Sequence, residues 1–266
     1  MAKDTTKDQP RTAIGIDIGG TGMKGGIVDL AQGTLLGDRF RIPTPKPATP
    51  EAVADVLAEI VDELMLRQDA PDPTTPIGAA FPAIIDDGVA RSAANVDKSW
   101  IDADVDGIFS ARLNREIHVI NDADAAGLAE ARYGAGQGVD GSVLAITLGT
   151  GIGSAMLYNG SLIPNFELGH LELDGHDAET RASASARERE DLPWDEYAQR
   201  LQRYFEHVEF LFSPKLFIVG GGISKRAEDY LPLLNLRTPI EVAKLKNNAG
   251  IVGAALQAAL HFKLLA

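Results

Sequence analysis

Ile14-Gly15-Ile16-Asp17-Ile18-Gly19-Gly20-Thr21-Gly22-Met23-Lys24-Gly25-Gly26-Ile27-Val28-Asp29 decides how this chain is read. Two apolar runs, Ile14 to Ile18 and Ile27 to Val28, flank a glycine-rich turn, which predicts a β-hairpin. Glycine lets backbone N–H groups come close to a ligand. Thr21 adds a hydroxyl, Lys24 a cation, and Asp17 a carboxylate at the strand end. N–H donors beside a lysine suit a phosphate, and a carboxylate beside them suits Mg²⁺. Gly20 to Gly25 also has the spacing G-x-G-x-x-G, but the dinucleotide fingerprint needs a helix after its glycines. Gly26-Ile27-Val28-Asp29-Leu30 reads as strand instead.

A second stretch repeats the design. Leu144-Ala-Ile-Thr147-Leu148-Gly149-Thr150-Gly151-Ile152-Gly-Ser-Ala-Met-Leu157 is again strand, glycine turn, strand. Asp17 and Thr147 open matching motifs 130 positions apart in a chain of 266 residues, so each heads about half the molecule. A duplicated two-domain α/β architecture is the expectation, with a phosphate gripped by two facing hairpins.

Composition excludes several classes. The net charge of −13 argues against general nucleic-acid binding, and 45% hydrophobic with 24% charged residues is the balance of a globular protein. There is no cysteine, hence no disulfide and no thiolate metal site. Met1 to Gln9 lacks the apolar core of a signal peptide, and no apolar run would cross a bilayer. The cytoplasm is the default compartment. Residues 1–12 read as a disordered tail.

Along the chain, Gly33 to Phe40 continues the meander. Thr49-Pro50-Glu51 opens a helix whose apolar face carries Val53, Val56, Leu57, Ile60, Val61 and Leu64. Ile77 to Ile85 is strand-like, interrupted at Pro82. Glu116 to Ile120 is a short strand ending in Asn121-Asp122-Ala123-Asp124, and Ala123 to Tyr133 a helix. Polar side chains at the carboxyl end of a strand face the ligand in α/β folds, though Asn and Asp also cap helices. Arg187-Glu-Arg-Glu190 reads as a solvated face. Asp195 to Phe212 is a long helix, Lys215 to Val219 a buried strand, Gly220-Gly221-Gly222 a tight turn after it, and Ala249 to Leu265 the last helix.

These motifs resemble the ROK family of sugar kinases, repressors and related proteins in the hexokinase–actin superfamily, and the resemblance runs from Ile14 to about Ala259. It implies an actin-like fold with a cleft between two α/β domains, one of residues 13–121 plus 249–266 and one of 122–248. Gly19, Gly20, Thr21, Gly22, Lys24 and Asp17 resemble the family's first phosphate motif; Thr147, Gly149, Thr150 and Gly151 resemble its second. Gly220, Gly221 and Gly222 would lie beside the nucleotide. Asn95, ahead of Trp100, Asn121, Glu167 and His170 of Glu-x-Gly-His, and Glu179 of Glu179-Thr-Arg-Ala-Ser183 would contact the sugar; Glu172 is a rival to Glu179. Asp122 would be the catalytic base, with Asp124 serving the helix terminus. The family usually has Pro-Gly where this chain has Pro82-Ala83.

Many family members hold a structural zinc through the counterpart of His170 and a cysteine cluster. Every such cysteine is missing here, so no zinc is expected and the loop must be held by other means. That loop, Ala94-Asn-Val-Asp-Lys-Ser-Trp100 and Gly220-Gly-Gly-Ile-Ser-Lys225 resemble the polyphosphate-using glucokinase branch. The resemblance implies transfer of a phosphoryl group from inorganic polyphosphate and/or ATP, with Mg²⁺, to the 6-hydroxyl of glucose, and in some members of mannose. Lys225, Arg226, Lys244 and Lys246 could form a polyanion track or be scattered surface charges. Family members are usually homodimers; loss of the zinc loop leaves that open here. Alternatives are a strictly ATP-dependent kinase for another hexose and a non-catalytic sugar-binding protein. A repressor would need a DNA-binding segment before Ile14, where only about a dozen residues stand.

Overall fold

The computed structural model describes residues 12–93 and 96–265. The expected tail, residues 1–12, lies outside these apart from Thr12, and Asn95 lies outside them too. In chain order the elements are β1 (Thr12–Ile18), β2 (Met23–Asp29), β3 (Thr34–Ile42), α1 (Pro50–Met65), β4 (Ile77–Phe81), β5 (Ile85–Asp86), β6 (Val89–Ala90), α2 (Val105–Leu113), β7 (His118–Asn121) and α3 (Asp122–Tyr133). They continue with β8 (Ser142–Leu148), β9 (Ile152–Tyr158), β10 (Ser161–Ile163), β11 (Glu172–Leu173), β12 (His176–Asp177), α4 (Glu179–Ala182), α5 (Ala184–Arg189), α6 (Trp194–Phe212), β13 (Leu216–Gly220), β14 (Ile240–Val242) and α7 (Ala249–His261). The chain divides into two compact units, Met1–Ala125 with Gly250–Ala266, and Ala126–Ala249.

Each unit has a five-stranded sheet, in order β3-β2-β1-β4-β7 and β10-β9-β8-β13-β14. The pairings match one for one: two antiparallel hairpin partners, then two parallel strands. Mixed sheets with helical connections are the α/β class expected from the sequence. Position in the sheet explains composition. β4 and β13 are flanked on both sides and buried throughout, so they read as continuous apolar runs, Ile77-Gly-Ala-Ala-Phe81 and Leu216-Phe-Ile-Val-Gly220.

The first core is built by α1 and the sheet. The Thr49 hydroxyl accepts from the Ala52 N–H at 3.4 Å, Pro50 opens the helix, and Val53, Leu57, Ile60, Val61 and Leu64 are buried. Phe81, Trp100 and Phe109 form an aromatic knot, with Phe81 and Trp100 centroids 4.7 Å apart. α7 lies close on the same sheet. A Cβ at Gly15 would stand 1.8 Å from the Ile251 carbonyl oxygen, and one at Gly78 would stand 2.0 Å from that of Ala254. The last helix therefore packs on the first unit because β1 and β4 each offer a position without a side chain.

Some boundaries differ from expectation. β4 stops at Phe81, since proline cannot supply the next ladder N–H, and Ile85 starts a separate two-stranded ribbon. The helix from Asp195 starts at Trp194, behind Pro193, and the last helix ends at His261. The charge run is not uniformly solvated: Arg187 lies over the Trp194 ring at 3.6 Å, and Glu190 accepts from Arg200 at 2.7 Å.

Candidate active site

The first glycine turn closes between β1 and β2. The Gly19 N–H donates to the Gly22 carbonyl at 3.2 Å. Two side chains hold two further carbonyls: the Thr44 hydroxyl donates to Gly19, and the Arg41 guanidinium donates to Thr21 at 3.0 Å. A peptide whose carbonyl is held this way keeps its orientation, and with it that of its N–H group. Asp17 and Lys24 are cross-strand neighbours in register and form an ion pair at 3.2 Å. The second Asp17 oxygen lies 3.3 Å from where a Cβ would stand on Gly250, so glycine there keeps space open beside the carboxylate. One carboxylate oxygen in an open space, next to a phosphate-type turn, is a donor set that fits hydrated Mg²⁺.

In the same unit, β7 ends in Asn121. Its side-chain oxygen accepts from the Ala123 and Asp124 N–H groups at 2.9 and 3.0 Å, and its amide donates to the Ala83 carbonyl at 2.9 Å. Asn121 is therefore the N-cap of α3 as well as a candidate ligand. Asn121 is 8% exposed and Asp124 1%, while Asp122 between them is exposed. Of the two carboxylates at this junction, Asp122 is the exposed one.

In the second unit the turn between β8 and β9 has the same design with different parts. The Gly149 N–H donates to Gly151 at 3.0 Å. Ser185 takes both other carbonyls: its N–H donates to Gly149 at 3.1 Å and its hydroxyl to Thr150 at 2.5 Å. The Ile152 N–H donates to Glu179 at 3.0 Å, and a Cβ on Gly151 would stand 2.2 Å from the same carboxylate. Thr147 lies opposite Gly220 in register, so Gly220-Gly221-Gly222 leaves the sheet alongside this turn. Gly221 has φ 82°, and a Cβ there would stand 2.3 Å from the Leu148 carbonyl.

Glu167, His170 and Glu179 come together. Buried Ser154 fixes the approach: its hydroxyl donates to the Phe166 carbonyl at 2.6 Å and accepts from the Leu168 N–H at 2.9 Å. Burial pushes the Glu167 carboxyl above its ordinary range; His170 opposes that rise and Glu179 adds to it. The His170 imidazole is raised chiefly by its hydrogen bond to Asp177 at 2.8 Å, against burial, with Glu179, Asp177 and Glu167 adding to the rise. Between the two rival glutamates, Glu179 faces this cluster, whereas Glu172 sits exposed on the ribbon β11–β12.

The cysteine-free loop is held by polar contacts. Arg203 grips Asp174 with two bonds, 3.0 and 2.8 Å, and β11 pairs with β12. His170, Asp177 and Glu179 each offer one ligand atom, all within 4.8 Å of one another. Three is short of the four that a structural zinc takes. His170 hydrogen-bonds Asp177 through Nδ1, and Glu179 accepts from the Ile152 N–H.

Ser185, Thr44, Arg41, Ser154 and Asp177 escaped the sequence reading. None belongs to a glycine turn or a sugar motif, and only tertiary contact brings them in. Of the basic residues that could form a polyanion track or be scattered charges, Arg226 pairs with Asp229 at 2.5 Å and lies over Trp194. Lys225, Lys244 and Lys246 are exposed.

The ROK family model matches residues 13–185. The chain belongs to the ROK family. It is 49% identical over 247 residues to the polyphosphate glucokinase of Mycobacterium tuberculosis (strain CDC 1551 / Oshkosh), covering 92% of this chain and 91% of that protein. The inorganic polyphosphate/ATP-glucomannokinase of Arthrobacter sp. strain KM is 68% identical, with a TM-score of 0.90 over 94% of this chain and 99% of that one. A ROK family glucokinase from Streptomyces griseus, in complex with glucose and AMPPNP, is 25% identical with a TM-score of 0.77, over 94% and 99%. The two α/β units are thus those of the actin-like ROK sugar-kinase fold. Among the described residues no helix is long and apolar enough to cross a membrane.

Proposed function

We propose that this ROK protein is a glucokinase that transfers a phosphoryl group from inorganic polyphosphate or ATP to the 6-hydroxyl of glucose, and of mannose as a second sugar. The observation that carries the catalytic assignment is exposed Asp122 between buried Asn121 and Asp124 at the carboxyl end of β7. The similarity to proteins named for polyphosphate and ATP supports the choice of donors.

In this reading Glu167, His170 and Glu179 bind sugar hydroxyls, joined by Asn121 and by Asn95, which lies outside the described residues. Asp122 accepts the proton of the 6-hydroxyl as that oxygen bonds to the terminal phosphorus. The bond from phosphorus to the bridging oxygen breaks, releasing ADP or a polyphosphate shorter by one unit. Such a transfer has a loose transition state, so positioning and charge stabilisation dominate. Gly19, Gly20, Thr21, Gly22 and Lys24 on one turn and Thr147, Gly149, Thr150 and Gly151 on the other hold donor phosphates, with Gly220, Gly221 and Gly222 beside them. Mg²⁺, held through Asp17 by way of water, would neutralise the donor's charge. Lys225, Lys244 and Lys246 extend the donor site for a polyanion. The protein works in the cytoplasm, without a nucleic-acid partner, and assembles as a homodimer.

The test is hexose 6-phosphate formation with ATP and with long-chain polyphosphate, in wild type and Asp122→Ala. Wild type turns over with both donors. The variant loses about 10²–10⁴-fold in kcat while glucose still binds. Turnover retained in Asp122→Ala removes the base assignment, and a wild type inactive with both donors removes the kinase reading.

A further inference from the structure

Ser185 lies outside every motif that the sequence offers, yet it makes more bonds to the second glycine turn than any motif residue does. Its N–H donates to Gly149 and its hydroxyl to Thr150. The hydroxyl has a single proton, and the Thr150 carbonyl can only accept. That proton therefore lies on the Thr150 bond. The contact between the Ser183 and Ser185 hydroxyls, 3.1 Å, must then run from Ser183 as donor to Ser185 as acceptor. Ser183 is buried and its oxygen also accepts from the Ala186 N–H at 3.2 Å, which caps α5. The result is a directed chain: the Ala186 N–H to Ser183, Ser183 to Ser185, Ser185 to the Thr150 carbonyl. Bonds arranged head to tail polarise and strengthen one another.

The consequence concerns the turn. With the Gly149 and Thr150 carbonyls held by Ser185, and the Ile152 N–H held by Glu179, the N–H groups of Thr150 and Gly151 show no partner among the described residues. These are the donors that the turn keeps for a ligand. If either peptide rotated, a carbonyl oxygen would face the anion in place of an N–H.

We propose that Ser185 is the positioning residue of the second phosphate turn, setting affinity for the phosphoryl donor and not for the sugar. This rests on the kinase reading for the identity of the donor. It predicts equal effects on ATP and polyphosphate, since both present a phosphate to the same N–H pair.

The experiment compares Ser185→Ala and Ser185→Thr with wild type. Ser185→Ala raises the KM for ATP and for polyphosphate about fivefold each, the loss of one net hydrogen bond, with kcat unchanged. Glucose affinity, titrated without donor, stays at the wild-type value. Ser185→Thr, which keeps the hydroxyl, restores both KM values. AMPPNP binding by calorimetry weakens by the same factor in Ser185→Ala, and this readout holds whether or not the protein turns over. A wild type that binds AMPPNP without turnover therefore sinks the kinase reading alone. Donor affinity unchanged in Ser185→Ala, glucose affinity lost in step with it, or no recovery in Ser185→Thr overturns the positioning role.

Discussion

The two glycine turns occupy equivalent places in two sheets of the same topology, yet they are supported differently. In the first, one carbonyl is held by the end of the exposed Arg41 side chain and another by the hydroxyl of buried Thr44, and a cation, Lys24, stands next to them. In the second, one residue, Ser185, holds two carbonyls, one through its backbone N–H and one through its hydroxyl, and among the described residues no lysine or arginine bonds to the turn; the charged group there is the Glu179 carboxylate. The first turn has a cation beside it and can adjust where exposed Arg41 holds it. The second has an anion beside it and takes its carbonyl anchors from a single residue.

Glycine substitution should expose this difference most strongly. At Gly221 a methyl group meets the Leu148 backbone at 2.3 Å with φ 82°, and neither side can give. Gly221→Ala should cost about 3 kcal/mol and several degrees in melting temperature. Gly151→Ala should break the bond between Ile152 and Glu179, a loss of about 1–3 kcal/mol read in both donor and glucose affinity. Gly22→Ala should cost less than about 1 kcal/mol, because the clash at 2.4 Å is with the end of Arg41, which can swing into solvent. If Gly22→Ala matches Gly151→Ala, the first turn is as rigid as the second.

A second test uses salt. Lys24→Ala should raise donor KM about tenfold, since it removes a cation and leaves Asp17 unpaired beside a polyanion. The salt dependence of that KM should flatten as well. In Ser185→Ala the salt dependence should stay as in wild type, because the second turn works without a cation. Equal salt slopes in the two variants would erase the distinction.

The smallest effect is in pH. The folded-state pKa of His170 is raised above 6.5. Its hydrogen bond to Asp177 therefore stabilises the fold fully below pH 6.5 and loses that contribution as pH rises through the raised value. Glu167, raised above 4.5 by burial, acts with the same sign in a more acidic window. The melting temperature of wild type minus that of His170→Gln should be largest below pH 6.5 and shrink above it. A difference that grows with pH would place the imidazole in a neutral role.

The sequence by itself determined both hairpins, the α1 cap, the β7–α3 junction with Asn121 and Asp122, and the family. These are local signals. Glycine turns, a Thr-Pro helix start and alternating or continuous apolar runs each lie within one short window, where backbone sterics and burial act directly. It also marked Glu167, His170 and Glu179 through the family's motifs, but left Glu179 and Glu172 unresolved, because both carboxylates sit in the same polar loop and only packing turns one of them toward Ile152. Tertiary structure alone decided the rest. Ser185 meets Thr150 across 35 residues and Arg41 meets Thr21 across 20. Arg226, left open by the sequence between a polyanion track and a scattered surface charge, pairs with Asp229. A hydroxyl or a guanidinium looks the same in sequence whether it faces water or a carbonyl. Its role is set by which peptide the fold brings within hydrogen-bond reach, and that depends on strands and helices far apart in the chain.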